Sequence, residues 1–278
     1  MTLTFYPTVS CGELGKYAHI PRVLLPASSW AGSTLRKHGV VRKIPVPTLF
    51  PETLDRAADC GGFVATKVWG EYKYSAAQYV EWLDGWQPTW AASMDYCCED
   101  EITSGNAGIV RTRQHMTTEM AYHFWNTYQE TPWPWVPTIQ GWTLSDYEYH
   151  ALEMKPLILD MLAHYGKHSA FRVGIGTLCR RASSEMIQDV VLAVARILPE
   201  VPLHLWGVKL GLMQSAIALP SQVVSVDSAA WNGMFRTGRQ NWKESGLSQR
   251  HYCFRVALPR YEQKIQRALT GTKQARMF

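Results

Sequence analysis

The chain lacks the features that mark membrane, secreted and zinc-binding proteins. Among its 278 residues no apolar run reaches the roughly 18 residues that a membrane-spanning helix needs. Residues 1–10 lack the basic and apolar regions of a signal peptide. The six cysteines include no Cys-x-x-Cys pair, the spacing typical of a zinc ribbon. These absences predict a cytoplasmic protein with free thiols, no bound metal and no membrane partner.

Other absences narrow the fold class. No Gly-x-Gly-x-x-Gly segment opens a helix, which disfavours a dinucleotide-binding fold. Low-complexity segments and internal repeats are also missing, and 46% of the residues are hydrophobic, so wholesale disorder is excluded. The formal charge of +5 is compatible with a polyanionic partner but is too small to demonstrate one.

Short apolar segments alternate with helical periodicity along most of the chain. Six segments have the length and composition of buried strands: residues 61–65, 91–95, 135–140, 171–176, 203–208 and 223–227. Strands that alternate with helices indicate a parallel sheet, and six or more such units in about 260 residues favour a closed barrel. We therefore predict an α/β protein, a single (β/α)₈ TIM-like barrel domain over residues 1–278.

Capping boxes mark two of the predicted helix starts. The spacing Ser-x-x-Gln at residues 75–78 and Ser-x-x-Glu at residues 145–148 each predict the start of a helix. The last predicted helix covers residues 260–269. Residues 29–58 and 228–250 have no clear periodicity and are interpreted as long loops.

Acidic and amide side chains follow the predicted strands. Asp95, Asp227, Gln140-Gly141 and Gly176-Thr177 stand at or just beyond strand ends, and Asp59 lies in the segment that leads into residues 61–65. Because active sites of barrels lie at the carboxyl ends of the strands, we expect these residues to converge on one rim. A single Asp after a strand is usually a helix cap or turn former. Several together are harder to explain in that way, since buried acids without partners are costly.

The chemistry that such a rim supports is limited. Two carboxylates can cleave a glycosidic bond, one as nucleophile at the anomeric carbon and the other as acid/base. A further Asp and Gln could hydrogen-bond the edge of a purine. Backbone N–H groups around Gly176 could bind a carbonyl oxygen of that base, since glycine permits close approach.

The order of these segments resembles the tRNA-guanine transglycosylase superfamily over roughly residues 50–240. Six segments carry the resemblance: Asp59-Cys60-Gly61-Gly62-Phe63, Asp95-Tyr96-Cys97, Gln140-Gly141, Ile175-Gly176-Thr177-Leu178, Asp227 and Arg236-Thr237-Gly238-Arg239. In the same order, they are similar to six segments of that family: Asp-Ser-Gly-Gly-Phe, Asp-Glu-Cys, Gln-Gly-Gly, Ile-Gly-Gly-Leu, the nucleophilic Asp and Arg-Ser-Gly-Arg. The family's Cys-x-Cys-x-x-Cys zinc motif is missing. In this the chain is most similar to the zinc-less branch, the deazapurine-in-DNA transglycosylases (DpdA).

The resemblance implies a base exchange in which guanine in DNA is replaced by a 7-deazaguanine such as preQ0. Its implied residues are Asp227 as nucleophile, Asp59 as acid/base, Asp95, Gln140, Gly141, Gly176, Thr177 and Leu178 as base-binding groups, and Arg236 and Arg239 as nucleic-acid contacts. DNA, free guanine and the free 7-deazaguanine are the implied partners, in a bacterial or phage-infected bacterial cell. No metal or other cofactor is implied, because one glycosidic bond replaces another. Oligomeric state and any requirement for other DNA-modification proteins stay open.

Three alternatives remain open at this point. A tRNA-guanine transglycosylase without a zinc domain would keep the chemistry and change the substrate. A glycoside hydrolase would use a barrel with paired carboxylates on an oligosaccharide. A non-catalytic nucleic-acid-binding subunit would retain the barrel alone, although both proposed catalytic acids are present.

Replacing Arg236 or Arg239 with Ala tests the implied phosphate contacts. Each replacement should weaken DNA binding and flatten its salt dependence by about one phosphate's worth, a change near 0.7–0.9 in the slope of log K against log salt. Base selectivity should hardly change, since phosphates carry no sequence information. Titrations of DNA binding at several salt concentrations measure the slope. A double variant with an unchanged slope would refute the assignment.

Overall fold

The computed structural model describes residues 3–9, 20–47, 54–166, 170–179, 183–214, 219–232 and 239–274. The strands are β1 (Thr4–Pro7), β2 (Arg22–Pro26), β3 (Asp55–Asp59), β4 (Trp90–Ala92), β5 (Trp135–Val136), β6 (Thr138–Ile139), β7 (Val173–Ile175), β8 (Leu203–Leu205) and β9 (Val223–Ser228). The helices are α1 (Ala27–His38), α2 (Gly62–Lys67), α3 (Ala76–Asp84), α4 (Asp100–Thr103), α5 (Ala107–Tyr128), α6 (Leu144–Tyr165), α7 (Ser184–Ile197), α8 (Leu210–Gln214), α9 (Arg239–Glu244), α10 (Gln249–Tyr252) and α11 (Leu258–Gln274). A π-helical turn, Cys253–Ala257, precedes α11. None of these helices has the length and apolar composition required to cross a membrane.

The strands form two parallel sheets, ordered β1-β9-β8-β7-β6 and β2-β3-β4-β5. The sheets approach each other at two places. Thr8, just after β1, bridges to Leu24 of β2, and Pro137 alone separates β5 from β6. Proline has no N–H to donate, and the strand is interrupted there, with β5 paired to β4 and β6 paired to β7. This α/β arrangement is compatible with the predicted (β/α)₈ barrel if β5 and β6 count as one strand.

Two hydrophobic clusters form the core. The smaller one takes a single side chain from each of β1 to β5: Tyr6, Leu24, Ala57, Trp90 and Val136. The larger one includes the buried faces of the long helices, such as Leu157 and Ile158 of α6 and Val190, Val191 and Val194 of α7. Each fully buried aliphatic side chain of this kind contributes about 1.5–3 kcal/mol. The helices are therefore held against the strands mainly by apolar contact.

One of the two predicted capping boxes is confirmed and the other is displaced. Ser75 Oγ accepts from the N–H of Gln78 at 3.2 Å, and Gln78 Oε1 accepts from the N–H of Ser75 at 2.9 Å. The predicted start of α6 at Ser145 is wrong by two residues. Thr143 caps this helix instead, because Asp146 Oδ2 accepts from the N–H of Thr143 at 2.7 Å and completes a reciprocal box.

The prediction that a strand finishes within residues 61–65 is also wrong. Strand β3 ends at Asp59, and Gly61, with φ of 78°, turns the chain directly into α2. The two predicted loops are wrong in part, since residues 29–58 contain most of α1 and much of β3, and residues 228–250 contain α9. The other five predicted strands are confirmed in position, and most are shorter than predicted.

Replacing Gly174 with Ala tests how tightly β7 packs against Trp206. A Cβ at Gly174 would lie 2.0 Å from Trp206 Nε1, so the indole would have to move. We expect a loss of about 1–3 kcal/mol in the free energy of unfolding. Urea denaturation followed by tryptophan fluorescence measures it.

The matched control is Gly211→Ala in α8. A Cβ at Gly211 meets no atom within 4 Å. Since alanine restricts the unfolded chain, this variant should be unchanged or more stable by up to about 1 kcal/mol. Equal stability of the two variants would contradict the packing described here.

Candidate active site

A cavity of about 670 Å³ lies at the carboxyl ends of the strands. Six of the residues predicted from the sequence line it: Asp59, Asp95, Gln140, Gly176, Thr177 and Asp227. They are contributed by β3, β9 and the segments that follow β4, β6 and β7. The structure thus brings together three carboxyl groups, one carboxamide and one hydroxyl.

The remaining predicted residues lie elsewhere. Within the described chain, Gly141 and Leu178 do not line the cavity: Leu178 belongs to the larger core cluster, and Gly141 packs against the start of α6. Arg236 lies outside the described residues. Arg239 begins α9, and its side chain is outside the described part of the structure as well.

A chain of short hydrogen bonds connects Asp95, Gln140 and Thr177. Gln140 Nε2 donates to Asp95 Oδ2 at 2.7 Å, and the hydroxyl of Thr177 donates to Gln140 Oε1 at 2.6 Å. These contacts fix which end of the amide is oxygen and which is nitrogen. Gly176 is required beside them, since a Cβ there would lie about 2.5 Å from the Gln140 amide. The polar groups are therefore held in one arrangement before any ligand arrives.

The backbone of Gln140 is anchored by two helices. Its N–H donates to His150 Nδ1 of α6 at 2.8 Å, and its carbonyl accepts from Gln114 Nε2 of α5 at 2.7 Å. Burial lowers the pKa of His150 to about 4, so the imidazole is neutral and can accept at Nδ1. The position of the carboxamide in the cavity thus depends on residues outside it.

Asp95 is held from its other side by a thiol and a phenol. Cys60 Sγ donates to Asp95 Oδ1 at 3.2 Å, and the hydroxyl of Tyr72 donates to the Asp95 carbonyl at 2.8 Å. Burial raises the pKa of Asp95, and the hydrogen bonds from Cys60 and Gln140 oppose that rise. The carboxyl group therefore presents a fixed edge to the cavity.

Asp59 has the electrostatic character of an acid/base group. Burial raises its pKa to about 7, and the neighbouring carboxyl groups of Asp95 and Asp227 add to the effect. The N–H of Gly61 donates to Asp59 Oδ1 at 3.0 Å and opposes it. An acid that is about half protonated near pH 7 can both donate and accept a proton under physiological conditions.

Asp227 is oriented by donors from distant parts of the chain. The hydroxyl of Thr8 donates to Oδ2 at 2.7 Å, and the N–H of Gly207 donates to Oδ1 at 2.7 Å. His204 Nε2 lies 3.4 Å from Oδ1. The side chain is buried, yet it lines the cavity, so a fixed carboxylate faces the space that a ligand would fill.

A buried relay orients His204 toward Asp227. Arg172 donates to Ser225 Oγ at 2.8 Å, and His204 Nδ1 lies 2.9 Å from the same oxygen. Because a guanidinium only donates, Ser225 Oγ accepts from Arg172, and its second lone pair and its proton match either neutral tautomer of His204. In both tautomers Nε2 faces Asp227. Burial lowers the pKa of His204, which favours the neutral ring.

Several residues of the site were missed by sequence reasoning. Thr8 and Gly207 stand in no motif, and His204 is marked only as a histidine between two leucines of a predicted strand. Glu99, which lines the cavity and is 2% exposed, has no signal except its place four residues after Asp95. Among the described residues, no group of three or more His, Cys, Asp and Glu side chains is arranged to hold a metal ion.

Two comparisons with known proteins bear on the chain. The sequence profile of a family described as DeoxyPurine in DNA protein A (DpdA) matches residues 34–274. The match covers most of the chain and includes all six predicted residues that line the cavity. A comparison with curated proteins finds no match.

Replacing Asp59 with Asn tests the raised pKa of this group. The carboxyl group ionises near pH 4 in the unfolded chain but near pH 7 in the folded protein. Between these two pH values the folded state therefore binds more protons than the unfolded chain. As a result, the free energy of unfolding falls as the pH rises toward 7. The stability of the wild type should fall relative to the variant over this interval, by up to about 1.4 kcal/mol per pH unit.

Urea unfolding of both proteins at about pH 5, 6 and 7 measures the effect. The difference in unfolding free energy between wild type and variant should change steadily across the series. A difference that stays constant with pH would show that the carboxyl group is not protonated in the folded state.

Proposed function

Since the chain belongs to the DeoxyPurine in DNA protein A (DpdA) family, we propose that it replaces guanine in DNA with a 7-deazaguanine such as preQ0. Membership implies a transglycosylase-type enzyme with DNA as its substrate. The finer proposal adds a covalent bond between Asp227 and the deoxyribose, with Asp59 as acid/base. It is supported by the contents of the cavity.

The observation that carries the proposal is that Asp59 and Asp227 line one cavity together with the Asp95–Gln140–Thr177 chain. Base exchange needs a nucleophile, a proton carrier and a recognition surface for a purine within the span of one nucleotide. The cavity offers a carboxylate oriented by Thr8 and Gly207, an acid with a pKa of about 7, and a row of fixed donors and acceptors.

In the first half of the proposed reaction, an oxygen of Asp227 attacks C1′ of a deoxyguanosine. The C1′–N9 bond breaks, its electron pair leaves with the base, and Asp59 gives a proton to the departing guanine. The deoxyribose is then bonded to Asp227. Thr8 and Gly207 hold the carboxylate so that this attack needs no reorientation of the side chain.

In the second half, N9 of the incoming 7-deazaguanine attacks C1′ and its proton passes to the Asp59 carboxylate. The bond between C1′ and Asp227 breaks, and the electron pair returns to the carboxylate. Both acids recover their starting state, so the cycle closes without a further reactant. A 7-deazaguanine has the same pyrimidine-ring edge as guanine, and one recognition surface can serve both bases.

The proposal requires that the target base leave the DNA stack. Flipping costs a few kcal/mol, which stacking and hydrogen bonds in a pocket offset. Asp95 and Gln140 are proposed to bind the N1 and N2 edge of the base, and the backbone around Gly176 and Thr177 its O6. Arg236 and Arg239 are proposed to hold the phosphates.

We further propose that the strands close into an eight-stranded barrel formed by a single domain without a zinc subdomain. Two contacts support closure: the bridge between Thr8 and Leu24, and the direct succession of β5 and β6 across Pro137. Closure would place all the strand ends around the same cavity, as active sites of such barrels are placed.

Replacing Asp227 with Asn tests the proposed nucleophile. The amide is of nearly the same size but cannot form the ester-like bond, so exchange should fall by at least about a thousandfold. Exchange of labelled guanine into DNA measures the rate, and thermal melting reports whether the variant is folded.

The matched control is Asp55→Asn at the opposite end of β3. Asp55 accepts a hydrogen bond from Tyr6 at 2.7 Å and is not part of the cavity wall. This variant should keep most of its exchange activity if it remains folded. Substantial exchange by folded Asp227→Asn would refute the assignment of the nucleophile.

The substrate of the wild type separates the alternatives. Faster exchange in tRNA than in DNA would favour a tRNA enzyme, and release of sugar from an oligosaccharide would favour a glycoside hydrolase. DNA binding without any exchange would favour a non-catalytic subunit. Mass spectrometry of nucleosides from DNA treated with the protein and preQ0 detects the product that the proposal requires.

A further inference from the structure

Glu99 is a buried acid in the cavity wall that the proposed reaction does not use. It is 2% exposed and lines the cavity. Cys179 Sγ donates to Glu99 Oε1 at 3.8 Å, whereas Oε2 is buried and has no hydrogen-bond partner among the described residues. A buried oxygen without a partner loses its hydrogen bonds to water and gains none from the protein. Such a group in a cavity wall is available to a ligand that supplies the missing hydrogen bond.

The polar groups follow a fixed order around the cavity. Asp95 is bonded to Gln140, and Gln140 is bonded to Thr177. The hydroxyl of Thr177 also accepts from the N–H of Cys98 at 2.9 Å, next to Glu99 in the chain. Glu99 is hydrogen-bonded to Cys179, and both residues line the cavity. The order is therefore Asp95, Gln140, Thr177 and then Glu99.

The edge of a purine presents its groups in a matching order: N2, N1, O6 and then position 7. If the proposed function is correct, Asp95 and Gln140 meet N2 and N1, and the segment at Gly176 and Thr177 meets O6. The next group along the wall is Glu99, and the next group around the base is the substituent at position 7. We propose that Glu99 binds this substituent and selects incoming bases that carry a polar group there.

The chemistry of the acid defines which substituents it accepts. Burial raises the pKa of Glu99, which shifts the acid toward the neutral form with one O–H donor, and hydrogen bonding by the neighbouring thiols of Cys97 and Cys179 opposes this rise. A neutral acid donates to the nitrogen of a nitrile, as in preQ0, or to the oxygen of a carboxamide. It provides no counter-charge for an ammonium group and no partner for a hydrogen atom on carbon. The substrate class is thus a 7-deazaguanine with a polar substituent at position 7 that can hydrogen-bond the carboxyl group, as the nitrile of preQ0 does when the acid is protonated.

Glu99→Ala and Glu99→Gln test the proposal against a pair of bases. Exchange into DNA is measured with preQ0, which is 7-cyano-7-deazaguanine, and with 7-deazaguanine, which carries only hydrogen at position 7. Glu99→Ala should lower kcat/KM for preQ0 by about 10- to 100-fold and change that for 7-deazaguanine by less than about threefold. Glu99→Gln should retain most of the preference, since its amide N–H can donate.

The matched control is Glu101→Gln, two residues further on in α4. Glu101 forms an ion pair with Lys67 at 3.2 Å on the surface and does not line the cavity. This variant should treat both bases as the wild type does. An equal loss for both bases in folded Glu99→Ala would show a purely structural role, and an unchanged preference would show that Glu99 does not contact the substituent. Either result overturns the proposal.

Calorimetric binding of the two free bases separates this proposal from the proposed function. The wild type should bind preQ0 more tightly than 7-deazaguanine, and Glu99→Ala should lose that difference. If the wild type exchanges no base, the proposed function fails, and calorimetry still decides the role of Glu99. Equal binding of both bases by the wild type would refute it.

Discussion

The carboxyl groups of Asp59, Asp95 and Asp227 line one cavity and need separate means of stabilisation, because neighbouring ionised acids in a poorly solvated site repel one another. Asp95 accepts from a thiol and a carboxamide. Asp227 accepts from a hydroxyl and a backbone N–H. Asp59 has one backbone donor, and its pKa rises to about 7. The proposed nucleophile and the proposed acid/base group are thus the same residue type in different surroundings: two donors hold the oxygens of Asp227, whereas Asp59 has a single backbone donor and a raised pKa.

The donors that stabilise these acids come from distant parts of the chain, so the site depends on the whole arrangement of strands. Thr8 and Asp227 are 219 residues apart in sequence. Behind Asp227, the buried Arg172 lies over Trp90, with its guanidinium carbon 4.8 Å from the ring centroid. It also bonds Ser225 at the start of the relay to His204. A guanidinium in this position is tolerated because the aromatic face and the serine oxygen replace water.

Features set by local sequence could be predicted, and features set by long-range contact could not. Strand β9 follows from an apolar run and the start of α3 from its capping box, and the acids at strand ends follow from the ends of such runs. Resemblance to the DpdA family, drawn from six ordered segments, is confirmed by the family match. Strands β1 and β2 were missed; each ends in a proline, and α1 begins directly after β2 without the turn residues that mark the end of a strand. Helix α5 was missed because part of its buried face is polar, including Gln114 and Thr117.

Within the site, too, roles that depend on long-range contacts could not be predicted from the sequence. His204 and Glu99 acquire a role only through the neighbours that the fold gives them, Asp227 for the first and Cys179 for the second. The displaced cap of α6 is a local failure of another kind. Two overlapping boxes were available, and the one that lets Asp146 bond Thr143 is formed.

The covalent intermediate is the claim on which the account most depends, and it can be observed directly. The enzyme is mixed with DNA in the absence of any free base, denatured in acid, digested with a protease and examined by mass spectrometry. The account predicts a deoxyribosyl adduct on the peptide that contains Asp227, and its loss when free guanine is added before denaturation. An enzyme that exchanges bases without forming this adduct, or an adduct on a different residue, would contradict the account.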